Sequence, residues 1–485
     1  MWKLRQNPKL CFTSLAFVCH NRVDANFLHG PGFLETWHFL LTDRRPAVII
    51  DIKIANYRSI NAAQTLSFVA EKAPRHPDNL IPCRGFKLLK AVALFGANAS
   101  GKSNLVKAIG GMSQYVRDSA TRMNDGDRIP VAEPFRLSSE TVNAPSRFEV
   151  TFLMEGMLYV YGFSATAERV HEEWLKAHSE TARTETLWFE RHLETATGQY
   201  TGAFGGPLQS AEVLLRERTR SNALVLSTGA QLNVEPLLPL YRYLHRQILR
   251  LDVPGVDVNP LRDATKLCKT DPNLSRHIVQ LMHSVDIDIE TLDIEDEDTD
   301  KSPSEAYGAN VKPHPVARAF KNLLDMVTVP RITAYRKRDD GKLAPFDFAT
   351  EESSGTQRLF VIAGPLFNAL ETGAFFVIDE LDASMHPLLT RRLLELFQSP
   401  QANTKGAQLL FTTHDPALFD QELFRRDQIW LAEKRNGASE FFSLTDIEPA
   451  PRNTEAFLRN YLAGRYGGAP QFVTRFEDRK LSTAK

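Results

Sequence analysis

The stretch Gly96-Ala97-Asn98-Ala99-Ser100-Gly101-Lys102-Ser103 fits the pattern G-x-x-x-x-G-K-[ST], the spacing of a phosphate-binding P-loop. Its flanks agree. "LLKAVALFG", Leu88 to Gly96, reads as a buried strand, and Leu105, Ile109, Met112 and Val116 recur at helical spacing, so a helix is predicted to start near Lys102 or Ser103. Between strand and helix, glycines let backbone N–H groups close around phosphates, and the helix N-terminus adds its positive end. Gly96, Asn98, Ala99, Ser100 and Gly101, with Lys102, Ser103 and Asn104, are the candidate nucleotide-binding set. Lys102 would reach the β- and γ-phosphates, and the Ser103 hydroxyl would ligate Mg²⁺.

Working outward, a second apolar strand, Phe375 to Ile378, ends in Asp379-Glu380. Paired with a P-loop, Asp379 is expected to hold Mg²⁺ through water and Glu380 to orient or deprotonate an attacking water. A third apolar strand, "LLFTTH", ends in His414, placed to touch a γ-phosphate. The 277 residues from Lys102 to Asp379 are far too many for a small GTPase, so a sizeable insertion must separate the two halves of the site. The 71 residues after His414 are too few for another large catalytic domain.

The rest of the chain sets bounds. Apolar residues at 43% and charged residues at 24% suit a globular protein with a real core. A net charge of −1 announces no global basic field, which leaves DNA open as a partner only through local patches. Cys11, Cys19, Cys83 and Cys268 show no metal or disulfide spacing and read as reduced thiols, so a cytoplasmic location is expected. No apolar run approaches the ~20 residues of a membrane helix. The N-terminal "MWKLRQNPKLCFTSLAFVCHNR" mimics a signal peptide, but Ser and Thr break its apolar part and no small-residue cleavage site follows. Residues 1–46 are therefore read as an extension, and the fold is expected to begin at "AVIIDIKI". "RFEVTFLMEGMLYVYGF" alternates around Glu155-Gly156 and "RITAYRKRDDGKLAPFDF" around Asp340-Gly341, both hairpin signals. The acidic run "DIDIETLDIEDEDTD" reads as a solvated strand followed by an exposed loop.

In chain order, "GANASGKSN", "ESSGTQRLF", "FFVIDELDASMHP" and "FTTHD" resemble the ABC-type ATPase superfamily outside the transporters, the SMC-like and OLD-like ATPases. "SSGTQ" looks like that family's signature, usually written LSGGQ, without the leading Leu and with Thr356 at the second glycine. In the family two heads meet face to face, and the signature of one covers the γ-phosphate on the P-loop of the other. The resemblance thus implies that Ser354, Gly355, Thr356 and Gln357 act in trans and that Asp382 touches the partner head. "NYRSI", "EESSGTQ", "DELDASMHP" and "FRRDQIWLAEK…YLAGRYGGAP" also resemble bacterial stand-alone ATP-binding proteins, including abortive-infection and RloA-like ATPases and the ATPase component of the PARIS anti-phage system. There, Arg58 of "NYRSI" is a candidate phosphate-side contact.

The expectation is an α/β P-loop NTPase of ABC-ATPase type with a mainly helical insertion. It divides into an extension (1–46), a first half-head (47–208), the insertion (209–345) and a second half-head (346–485). The implied function is hydrolysis of ATP with Mg²⁺ by a homodimer or larger homo-oligomer, which senses or scaffolds in anti-phage defence. A phage protein would be the trigger, and a separately encoded nuclease or toxin the effector. The alternative is an SMC-like DNA-repair or DNA-maintenance ATPase, disfavoured because residues 209–345 lack a long heptad pattern and carry repeated Pro breaks. A self-contained OLD nuclease would need a Toprim domain that the 71-residue tail cannot hold.

Overall fold

A computed structural model describes residues 47–470, apart from 84, 180–184, 252–259, 296–330 and 453–454. The expected extension 1–46 and the end of the acidic run lie outside the described residues. β1 (Val48–Ala55) turns into β2 (Gln64–Ser67), and a ribbon of β3 (Leu80–Pro82) and β4 (Lys87–Leu89) leads to β5 (Ala91–Gly96). The helix read after Gly101 is α1 (Lys102–Asp118). β6 (Ser146–Met154) and β7 (Met157–Ala165) form the hairpin expected at Glu155-Gly156, followed by β8 (Val170–Ser179), β9 (Glu185–Glu194) and β10 (Gln199–Phe204). Next come α2 (Val225–Gln231), α3 (Leu238–Arg246), β11 (Ile248–Leu251), α4 (Pro260–Thr270) and α5 (Pro272–His283). β12 (Thr291–Glu295), β13 (Arg331–Lys337) and β14 (Leu343–Asp347) make a small antiparallel sheet that includes the second expected hairpin. The chain continues through α6 (Ser354–Thr372), β15 (Phe375–Ile378), α7 (Pro387–Gln398), β16 (Gln408–Thr413), β17 (Ile429–Arg435), β18 (Ala438–Ser443) and α8 (Phe457–Leu462).

Two large sheets organise these elements. The first is antiparallel, in the order β10-β9-β8-β7-β6-β1-β2. The second runs β11-β15-β16-β5-β17-β18, parallel except for β18. β16 therefore lies between the P-loop strand β5 and the acidic-ended β15, and all three C-terminal ends meet at one edge. Helices dominate the described part of residues 209–345, as expected, but β11 pairs in parallel with β15 from Ile248↔Phe375 to Leu251↔Ile378. Those four residues return to the head and are no part of a separate insertion.

Side-chain alternation along the parallel strands supplies two cores, one on each face of the sheet. Val92 and Leu94 of β5, Phe375 and Val377 of β15, and Leu410 of β16 face α1 and the antiparallel sheet, where Leu105, Ile109, Met112 and Val116 meet Ile52, Ile54, Phe148 and Phe152. Ala93 and Phe95, Phe376 and Ile378, and Leu409 and Phe411 face the other way, onto Leu359, Ile362 and Leu366 of α6 and Leu393 and Phe397 of α7. Burying such a side chain contributes about 1.5–3 kcal/mol, so this alternation fixes the strand register strongly. One buried amide joins the layers. Gln408 accepts the Ile49 N–H at Oε1 (2.6 Å) and donates through Nε2 to the carbonyls of Ile49 (2.9 Å) and Leu89 (3.3 Å).

Candidate functional site

β5 carries Gly96 to the C-terminal edge of the sheet, and the loop returns into α1 at Lys102. Asn98 and Ala99 form its exposed crest, with Ala99 at φ 61°, while Ser100 and Lys102 are buried and Ser103 is half-buried. Gly101 precedes the helix at φ 108°. A Cβ there would stand 2.0 Å from Ser439 Oγ, so only glycine fits. Ser439 Oγ donates to Ser59 Oγ at 2.7 Å, and Asn104 Nδ2 donates to the same oxygen at 2.7 Å. The Asn104 side chain thus ties α1 to the Asn56–Ile60 loop rather than facing the crest. Lys102 Nζ folds back onto the carbonyls of Gly96 (2.7 Å) and Ala97 (3.1 Å). Burial pushes its pKa down to about 8, with the charges of Asp379, Glu380 and Asp382 opposing. Ser100 Oγ is buried and hydrogen-bonds no described residue. A buried unpaired hydroxyl, an ammonium held only by its own loop and a helix N-terminus together fit an anionic phosphate chain.

At the next two strand ends, Asp379 N–H continues the pairing with β11 by donating to Leu251 O at 3.0 Å. Glu380 adopts φ 51°, which costs a non-glycine residue about 1 kcal/mol. Thr412 connects the two acids: its hydroxyl donates to Asp379 Oδ1 at 2.6 Å and accepts the Glu380 N–H at 2.7 Å. No described residue hydrogen-bonds Asp379 Oδ2, so a carboxylate oxygen remains for a divalent cation, as the chemistry of a hard oxygen donor requires. His414 Nε2 lies 3.7 Å from Glu380 Oε1. Burial, then the Lys102 charge, hold His414 below its usual pKa against the three nearby acids. Asp382 accepts the His414 N–H at 3.3 Å, a contact within one chain that the sequence did not indicate.

Local hydrogen bonds shape the signature turn. Ser353 caps α6: its Oγ accepts the Thr356 N–H at 3.1 Å and meets Thr356 Oγ1 at 2.9 Å. Thr356 is buried, and within one chain its amide is bonded to Ser353. Gln357 Nε2 donates to the carbonyls of Phe348 (3.2 Å), Ala349 (2.9 Å) and Glu352 (3.2 Å), stapling its own chain. Ser354 stands exposed in the first helical turn, and Gly355 packs so tightly that a Cβ would lie 2.9 Å from Ser384 O. Arg336 of β13 grips Glu352 at 2.9 and 2.8 Å, just before this turn.

Two arginines complete the description. Arg58 is engaged with Glu133, through its N–H to the Glu133 carbonyl and through Nη2 to Oε1, both at 2.7 Å. Arg358, which the sequence reading passed over, is buried beneath the acids. Its Nη2 donates to the carbonyls of Asp379 and Glu380 at 3.3 Å each, and burial lowers its pKa while Glu380, Asp379 and Asp382 oppose. Thr412 was missed as well, although two hydroxyls directly before His414, after the apolar run Leu409-Leu410-Phe411, were a usable signal. Lys102, Asp379, Glu380, Asp382 and His414 are brought together. Contacts between two copies are not a property of one chain.

Among solved structures, the chain is similar to an Smc head bound to the C-winged helix domain of ScpA, at 15% identity and TM-score 0.39 over 82% of this chain and 97% of that one. It is also similar to the SMC head domain from Thermotoga maritima (13%, TM-score 0.36, 81% and 98%). A third is an Smc head domain with an extended coiled coil bound to the C-terminal domain of ScpA, derived from Pyrococcus furiosus (13%, TM-score 0.35, 82% and 96%). No curated protein matches. The fold is α/β, with a P-loop at the edge of a mainly parallel sheet. Residues 91–420 match the family described as "AAA domain, putative AbiEii toxin, Type IV TA system", and the chain belongs to that family.

Proposed function

We propose that this protein binds and hydrolyses ATP as a head-to-head dimer or larger homo-oligomer. The observation that carries the reading is the convergence of three neighbouring strand ends: the P-loop after β5, Asp379-Glu380 after β15 and His414 after β16. On ATP binding, Lys102 exchanges its two loop carbonyls for β- and γ-phosphate oxygens, and the Ser100 hydroxyl gains the partner it lacks. Ser103 and Asp379 would hold Mg²⁺, which supplies charge neutralisation on the phosphates when bound. Glu380 orients the water and takes its proton, while His414 stays neutral beside it and offers Nε2–H to the γ-phosphate. Ser354, exposed on a capped helix start, and the Gly355 amide next to it are the groups that reach the nucleotide of a second copy.

We also propose a wider role, supported by the sequence resemblance to abortive-infection, RloA-like and PARIS ATPases and compatible with the family's description as a putative AbiEii toxin. The protein works in the cytoplasm as a sensor or scaffold of anti-phage defence, triggered by a phage protein, and releases or restrains a separately encoded nuclease or toxin. No helix among the described residues is long and apolar enough to cross a membrane. Glu380→Gln tests the core of the reading. It should bind ATP, turn over at least about 100-fold more slowly and accumulate as an ATP-dependent dimer on light scattering, because the base is lost and the metal carboxylate kept. Turnover at the wild-type rate by this folded variant would remove Glu380 from the chemistry.

A further inference from the structure

Thr412 is wholly buried, yet its side chain is polar and both of its bonding capacities are used on the two acids of the site. β16 pairs with β15 up to Ile378↔Phe411, so residue 412 comes level with Asp379, the first residue beyond the strand. The direction of each bond follows by elimination. The Glu380 N–H can only donate, so the Thr412 oxygen accepts from it at 2.7 Å. The single hydroxyl proton then goes to Asp379 Oδ1, at 2.6 Å. The backbone adds to the grip: Thr412 O accepts the Leu381 N–H at 3.0 Å, so residues 379, 380 and 381 are all held by one residue of the neighbouring strand. Glu380 meanwhile sits at φ 51°, a conformation that persists only where its surroundings impose it.

We propose that Thr412 is a positioning residue for nucleotide hydrolysis. Its hydroxyl holds Oδ1 of the Asp379 carboxylate, so that Oδ2 would remain for Mg²⁺, and it fixes the left-handed Glu380 backbone from which the side chain would act on the attacking water. A single hydroxyl thereby couples the metal ligand to the base. Valine has nearly the same shape as threonine and would fill the site without either bond, and serine would keep the bonds and lose a methyl. This inference rests on the ATPase reading above.

The experiment compares wild type, Thr412→Val, Thr412→Ser and Glu380→Gln in two assays: steady-state ATP hydrolysis, and binding of labelled ATP titrated with Mg²⁺. Thr412→Val should retain ATP binding without metal, lose about 10- to 100-fold in kcat and need correspondingly more Mg²⁺ to strengthen ATP binding, as outer-shell losses at metal sites do. KM should move far less than kcat. Thr412→Ser should recover most of both quantities. Wild-type kcat and Mg²⁺ dependence in folded Thr412→Val overturn the proposal. So does a Thr412→Ser variant as impaired as Thr412→Val, which would assign the effect to the methyl. Should Thr412→Val fail to fold, Thr412→Ala against Thr412→Ser isolates the hydroxyl in the same assays, and equal impairment overturns the proposal. Absence of turnover by wild type, whatever the variants do, refutes the ATPase reading itself and takes this inference with it.

Discussion

Raising the pH from 7 to 9 should weaken ATP binding about tenfold, through Lys102. In the nucleotide-free protein its pKa is pushed down to about 8 by burial. An ammonium with that value is about nine-tenths charged at pH 7 and about one-tenth charged at pH 9. Phosphates bind the charged form, so affinity is flat below the free-protein value and falls by about tenfold per pH unit above it, with a proton taken up on binding. The same burial has the opposite sign for stability. The folded value lies below the ordinary lysine 10.5, so the unfolded chain holds the proton more tightly between about 8 and 10.5. Without nucleotide, Lys102 thus costs stability below pH 8, on the order of 3 kcal/mol, and the cost disappears as the pH rises through 10.5. Calorimetric titration at pH 7, 8 and 9, in buffers of different ionisation heat, reads both the affinity and the proton uptake. Lys102→Met is the control, because ionisation of ATP and of other side chains is common to both proteins. It should bind weakly at every pH and be more stable than wild type at pH 7. A wild-type Kd that does not change between pH 7 and 9, or a Lys102→Met protein with the wild-type slope, would refute the reasoning.

Two further outcomes are expected. Ser354→Arg should bind ATP nearly as wild type but fail to dimerise, and mixing it with Lys102→Ala should restore some turnover, since one of the two composite sites is then intact; a mixture with verified subunit exchange that stays inactive counts against action in trans. Gly101→Ala should lose ATP binding and about 3 kcal/mol of stability in chemical denaturation, because the added Cβ meets Ser439 Oγ at 2.0 Å in a conformation alanine resists; Ser439→Gly in the same chain should return part of the stability, and unchanged ATP affinity in Gly101→Ala would contradict the loop geometry.

Sequence was a good guide where a single segment carries its own signal. The P-loop, its strand and helix, the acids after "FFVI" and both hairpins depend on period and turn residues within a few positions of one another, and they appear where expected. β11 escaped because four residues, "ILRL", are too few to show a period, and only their pairing with β15 makes them a strand. The stretch before α6 was legible as a signature resemblance, but its cap was not read: "SSG" offers two adjacent serines, and which one caps depends on where the helix begins. Thr412 and Arg358 act on residues 33 and 21 positions away, respectively, across strand and helix packing that no local pattern encodes. Asp382 was noticed for a contact with a second copy, whereas its bond to the His414 backbone depends on two strand ends lying side by side.

Gln408 bears on how the head breathes. By bonding both polar groups of Ile49 it acts as a rung between the two sheets, and Gln64 of β2, which accepts the Phe441 N–H of β18 at 3.0 Å, is another. It opens β16, whereas Thr413 closes it at the nucleotide edge, about 17 Å further along the strand. Tilting of one sheet against the other is therefore opposed at both ends, by this amide and by the Ser59–Ser439 pair beside Gly101. Because β5, β15 and β16 belong to one sheet, such a tilt would leave the spacing of the P-loop, the acids and His414 unchanged and would be felt through Asn104 and Ser59 alone.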